Sequence, residues 1–161
     1  LDVYHPQRDI PDGDQFNEGR DMHRYAEFMR NQVRELLTNY GKIDIIWFDF
    51  SYPNELIEGK PYLVGKGKDD WEAEKLIALA RELQPGIIID NRADMEQDLW
   101  TPEQYQPLEW VRHEETGELV VWEACQTFSG SWGYHRDEMT WKNEKMLIDL
   151  LTSTVAYGGN A

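Results

Sequence analysis

The sequence contains one cysteine, Cys125, in 161 residues, which excludes an internal disulfide and says little about compartment. No apolar run approaches the roughly 20 residues needed to span a bilayer, and no basic, apolar leader with a small-residue cleavage site opens the chain. Positive charge is scarce. Sixteen Lys and Arg against 31 Asp and Glu leave a net charge of -15, which argues against nucleic acid and anionic membranes, since both need a positive face. There is no glycine-rich phosphate loop and no Walker-type lysine. His5, His23, His113 and His135 are scattered, without the spacing of metal ligands. Gly130-Ser131-Trp132-Gly133 is not a nucleophile elbow, because G-x-S-x-G is absent. Cys125, beside an apolar strand pattern, reads as a small core residue rather than a nucleophile.

What is present is a globular composition, 40% hydrophobic and 29% charged. The length suits one domain, residues 1–161, with a sizeable core. The chain starts at Leu1 and ends at Gly158-Gly159-Asn160-Ala161, which reads as a domain truncated at both ends. Seven Trp and eight Tyr are many for this length. Such rings stack on the apolar faces of sugars as readily as they fill cores.

The stretch that organises the chain is Lys42-Ile43-Asp44-Ile45-Ile46-Trp47-Phe48-Asp49-Phe50. Its apolar run predicts a short strand buried on both faces, as in parallel sheets. Asp49 then falls at the carboxyl end of that strand, where parallel α/β folds bind ligands. A carboxylate there can also cap a loop or the next helix. The aromatic flanks and the carboxylates at later strand ends favour a functional reading.

Residues 1–19 read as a strand end followed by a polar loop, with His5 either an ordinary loop residue or a ligand-facing one. Asp21 to Tyr40 is the clearest helix: Met22, Tyr25, Met29, Val33, Leu36, Leu37 and Tyr40 form one apolar stripe, with Asp21 as N-cap and Gly41 beyond the end. A Pro- and Gly-bearing loop over 51–68 leads to a second helix, capped by Asp69 or Asp70 and running to Leu83. Ile87-Ile88-Ile89 predicts a second strand ending in Asp90-Asn91-Arg92, and residues 118–123 a third ending in Glu123. A last helix starts at Thr140 or Asn143, with Met146, Leu147, Leu150, Leu151 and Val155 inward. Strands alternating with helices give a parallel sheet with helices outside. A complete eight-unit barrel needs at least ~200 residues, so this chain supplies about half of one. A half-barrel leaves sheet edges open and favours association with a second copy or a missing half.

Paired carboxylates among aromatics are the equipment of a glycosidase. One attacks the anomeric carbon and the other protonates the leaving oxygen, with the groups ~5–5.5 Å apart in retaining enzymes. A guanidinium such as that of Arg92 favours an ionised nucleophile, and a hydrophobic wall favours a protonated acid.

The motifs at residues 36–49, Asp90-Asn91-Arg92, Thr101-Pro102-Glu103-Gln104, Trp122-Glu123-Ala124-Cys125, Ser131-Trp132-Gly133-Tyr134 and Gly158-Gly159-Asn160 together resemble the α-L-fucosidases of glycoside hydrolase family 29. They stand in the family's order and cover nearly the whole chain from about Leu36. The resemblance implies a partial (β/α) TIM-like barrel and retaining exo-hydrolysis of terminal α-L-fucosyl linkages, with a fucosylated oligosaccharide or glycoconjugate as substrate and no metal or cofactor. It matches Asp49 to the nucleophile, Trp47 to a pocket Trp, Arg92 to an Arg that contacts sugar and nucleophile, and Trp132 to an aromatic beside the fucose methyl. His5 sits where the preceding barrel strand would end, which makes it a candidate sugar contact. The acid/base is Glu103 or Glu123. Glu103 is preferred, because its loop can carry the carboxylate over the leaving group. Phe50 replaces a Gly common in the family, and the family's fucose-binding His residues lie upstream of this sequence. A non-catalytic carbohydrate-binding or scaffold module, or a retaining glycosidase for another sugar such as galactose, are the alternatives.

Overall fold

Asp21 opens the first helix by accepting the His23 amide at 2.9 Å, and α1 runs over Met22–Asn39 in a computed structural model that describes residues 19–49, 51 and 66–161. Gly41 follows the helix at φ +87°, a conformation that favours glycine. The remaining elements are β1 (Ile45–Ile46), α2 (Lys68–Trp71), α3 (Ala73–Leu83), β2 (Ile88–Ile89) and α4 (Glu144–Ala156). The chain divides into two compact units, Leu1–Met95 and Glu96–Ala161.

In the first unit β1 and β2 pair in parallel, Ile45 opposite Ile88 and Ile46 opposite Ile89. Ile46 and Ile89 share a buried cluster with Val33 and Leu37 of α1 and with Leu76, Ile77 and Ala80 of α3. Pleating sends the intervening residues the other way, so Ile45 and Ile88 are 50% and 40% exposed. This corrects the expectation of a strand buried on both faces, since the cluster's helices lie on one side of the pair. The stripe of α1 is also narrower than its sequence suggests. Ala26, Val33 and Leu37 are buried, whereas Tyr25, Leu36 and Tyr40 are exposed.

The second predicted helix is two helices. Its break is Glu72, a non-glycine residue in the left-handed region at φ 49°, ψ 48°. The Glu72 carboxylate is held by His23 at 2.9 Å, by Lys75 at 3.2 Å and by Arg30, and the His23 and Arg30 contacts tie the strained turn to α1. Nor does Asp69 or Asp70 supply the N-cap. Gly67 takes that place, and Asp70 reaches back to its amide at 3.0 Å.

In the second unit the expected strand over 118–123 is instead a chain that changes partners. Its first part pairs antiparallel, Arg112 opposite Leu119. Trp122 to Cys125 then runs parallel to Trp100 to Glu103 on one side and meets Asn160 on the other. Trp122 is buried and donates its indole N–H to the Tyr157 carbonyl at 3.1 Å. Gly159 lies flat on that ring; a Cβ there would fall 2.5 Å from it. Asn143, not Thr140, caps α4, accepting the Met146 amide at 2.9 Å. Only Thr154 of α4 is fully buried, with Leu147 and Leu150 partly so. Met146, Leu151 and Val155, expected inward, are exposed, because the helix seats itself through the face that carries Thr154, whose hydroxyl meets Gln106 Oε1 at 3.2 Å.

Candidate active site

Past the paired Ile46 and Ile89 the chain continues as Trp47, Phe48 and Asp49 after one strand and as Asp90, Asn91 and Arg92 after the other. Side chains link the two strand ends. Arg92 Nη1 donates to Asp49 Oδ1 at 2.9 Å, and the guanidinium carbon stands 4.7 Å from the centre of the Trp47 ring, a cation–π distance. The Arg92 side chain is 13% exposed and the Asp49 side chain 37%. The guanidinium is thus fixed and largely desolvated, while the carboxylate retains an open side.

The entry to β1 is also clamped. Gln84, just past α3, accepts the Ile43 amide at 2.8 Å and donates to the carbonyls of Leu37 and Gly41 at 2.8 and 2.9 Å. One amide side chain therefore ties the end of α1, the start of β1 and the end of α3 together. Beyond Asp49, Ser51 Oγ accepts the Trp71 indole N–H at 3.0 Å.

Beneath this surface lies Asp90, with no exposed area. Its Oδ1 accepts the Phe48 amide at 2.9 Å, and its Oδ2 has no hydrogen-bond partner among the described residues. Burial pushes its carboxyl up to about 6, against the Phe48 and Arg92 amides and the Arg92 charge, which favour ionisation, and with the Asp49 charge, which opposes it.

Glu123 and Glu103 belong to the second unit. Glu123 is half-buried, and its Oε1 accepts the hydroxyl of buried Thr101 at 2.9 Å. Its amide donates to the Trp100 carbonyl at 3.0 Å. Glu103 presents an exposed side chain from a backbone bridged to Cys125, and the adjacent Gln104 amide donates to the Cys125 carbonyl at 3.0 Å. Cys125 itself is half-buried. Trp132 is exposed on a bend in which Ser131 Oγ donates to the Gly133 carbonyl at 2.8 Å. Trp47, Asp49 and Arg92 are therefore brought together in one unit, while Glu103, Glu123 and Trp132 stand on the other. His5 lies outside the described residues. Among the described residues no cluster of three or more His, Cys, Asp or Glu is placed to hold a metal ion, and no helix is long and apolar enough to cross a membrane.

The sequence profile of α-L-fucosidases matches residues 2–161. The chain belongs to the α-L-fucosidase family. Its backbone superposes on α-L-fucosidase isoenzyme 1 from Paenibacillus thiaminolyticus with a TM-score of 0.78 and 36% identity, covering 99% of this chain and 37% of that one. The α-L-fucosidase of Lactobacillus casei in complex with α-L-fucose product matches with a TM-score of 0.62 and 22% identity, over 93% of this chain and 39% of that one. The Thermotoga maritima α-fucosidase in complex with a mechanism-based inhibitor matches with a TM-score of 0.58 and 23% identity, over 86% and 27%. At those two identities the likeness is one of fold. The 161 residues thus span well under half the length of these fucosidases. A comparison with curated proteins finds no match.

Sequence reasoning missed the roles of Gln84, Asp90 and Thr101 in this family member. A polar residue closing an apolar strand pattern was a visible signal for Asp90. Gln84 and Thr101 carry no such signal, because their partners lie 41 and 22 residues away.

Proposed function

We propose that the chain is the part of a retaining exo-α-L-fucosidase catalytic domain that carries its nucleophile and its acid/base, within a (β/α) TIM-like barrel. The observation that carries this reading is the Arg92–Asp49 pair across two adjacent parallel strand ends, with Trp47 beneath the guanidinium. The substrate is a fucosylated oligosaccharide or glycoconjugate.

In the first step Asp49 Oδ attacks the anomeric carbon from the face opposite the leaving group. The glycosidic C–O bond breaks, and the acid/base gives its proton to the departing oxygen. In the second step the same residue takes a proton from water, whose oxygen attacks the anomeric carbon and breaks the ester to Asp49. Overall configuration is retained. Arg92 holds the carboxylate in its attacking orientation, and Trp47 and Trp132 offer apolar faces to the sugar. Glu103 is the acid/base in this reading. Glu103 stands exposed on a loop that can carry its carboxylate over the leaving group, whereas Glu123 is half-buried and accepts the Thr101 hydroxyl.

The reading is tested in the natural polypeptide that carries these residues. Asp49→Gly should abolish turnover of an aryl α-L-fucoside, and azide should restore it with a product of inverted configuration. Activity within a few-fold of the parent removes Asp49 from the mechanism.

A further inference from the structure

Asp90 is the one fully buried charged residue among the described ones, and the two-step mechanism does not use it. Its position is specific. Oδ1 takes the amide of Phe48, the residue between Trp47 and Asp49, while Oδ2 is buried without a hydrogen-bond partner among the described residues. A buried carboxyl oxygen lacking a donor is strongly unfavourable when it carries charge, and far less so when it carries the proton. Asn91 and Arg92 follow directly, so the residue that grips the Phe48 amide also begins the turn that aims Arg92 at Asp49.

We propose that Asp90 is a positioning residue for the reaction: as a neutral carboxyl it holds the Phe48 amide, and through it the main chain of Asp49, against the end of β2. This rests on the reading of Asp49 as nucleophile. The charged groups that bear on it are Arg92, on its own strand end, and Asp49, on that of β1. The direction of its pKa, raised by burial, agrees with a carboxyl that keeps its proton into mildly acidic solution. Ionising Asp90 would put a second anion beside the Asp49–Arg92 pair and give the guanidinium a competing partner. The neutral form grips the backbone without that competition.

The test compares Asp90→Asn and Asp90→Ala with the parent, in the natural polypeptide, on an aryl α-L-fucoside. An Asn oxygen can accept the same amide and is neutral at every pH; Ala is neutral too but cannot accept it. Asp90→Ala should lower kcat by roughly 10²-fold with a much smaller change in KM, as expected when a reacting group is misplaced by about 1 Å. Asp90→Asn should recover most of that loss. The ratio of the Asn variant's rate to the parent's should rise as pH increases through about 6, the value to which the Asp90 carboxyl is raised; other groups titrate in both proteins and cancel. A flat ratio, or an Asn variant as impaired as the Ala variant, overturns the proposal. If Asp90→Ala does not fold, the Asn ratio still decides. If the folded parent hydrolyses no α-L-fucoside, the functional reading fails. The amide resonance of 15N-labelled Phe48 then judges Asp90 separately: a titration with a midpoint near 6, absent in Asp90→Asn, supports its grip on that amide, and no titration overturns it.

Discussion

Arg92 crosses from the end of one parallel strand to the end of its neighbour, where its Nη1 sits 2.9 Å from Asp49 Oδ1. The same guanidinium covers the Trp47 ring at 4.7 Å. A planar, delocalised cation can satisfy both partners, whereas an ammonium on a flexible stem is a point charge suited to one. Arg92→Lys should therefore behave closer to Arg92→Ala than to the parent. Both should lower kcat/KM for an aryl α-L-fucoside by about 10²-fold or more, and a Lys variant within threefold of the parent would show that charge alone suffices.

The two glutamates should separate by leaving group. A general acid matters most when the departing oxygen is a poor leaving group. Glu103→Ala should fail on natural fucosyl linkages yet still form the intermediate from an activated aryl fucoside. Glu123→Ala should instead lower thermal stability, because it leaves the hydroxyl of buried Thr101 without the acceptor it meets at 2.9 Å. The reverse pattern would exchange the assignments.

Stability should respond to pH in opposite senses through Glu72 and Asp90. Hydrogen bonds from His23 and Lys75, with Arg30 adding to them, hold Glu72 at about 2, below the ordinary 4.5. Its contribution is present above about 4.5 and is lost as pH falls towards 2. Asp90 is raised from 3.8 to about 6, so its contribution is complete below 3.8 and is lost as pH rises through about 6. The Asp90 shift corresponds to roughly 3 kcal/mol. Thermal unfolding from pH 2 to 8 should therefore show Glu72→Gln flattening the profile between about 2 and 4.5, and Asp90→Asn flattening it between 3.8 and about 6. Unchanged profiles would refute both linkages.

How much of this was legible beforehand follows from the range of the interactions. α1, its Asp21 cap and Gly41 are fixed by neighbours a few residues apart, and their sequence pattern is explicit. The parallel pairing of Ile45 with Ile88 was implied by two β-branched runs separated by a helix. The break at Glu72 was not, because the side chains that hold its carboxylate include His23 and Arg30 of α1, which lie 49 and 42 residues earlier. The orientation of α4 was also hidden: several of its faces are apolar, so periodicity alone could not choose the one bearing Thr154. At the site, Asp49, Arg92 and Trp47 could be named from their motifs, but their mutual contact depends on the parallel pairing of β1 with β2, which brings together residues 43 positions apart.

Expressed alone, the 161 residues should associate with themselves. Ile45 and Ile88 on the strand pair, and Met146, Ile148, Leu151 and Val155 on α4, are all at least 40% exposed. The described sheet has only two strands, each with one edge unpaired within it. Light scattering should give a mass above that of the 19.0 kDa chain. A monodisperse monomer at micromolar concentration would contradict this.

The central claim is that Asp49 bonds covalently to the sugar, and the most direct measurement is to trap that bond. A 2-deoxy-2-fluoro fucosyl donor with a good leaving group forms the ester readily and releases it slowly, because fluorine destabilises the oxocarbenium-like transition state of both steps. The natural polypeptide should gain one fluorofucosyl group by intact mass, and peptide fragmentation should place it on Asp49. A label on Glu103 or Glu123, or inactivation without any label, would contradict the account.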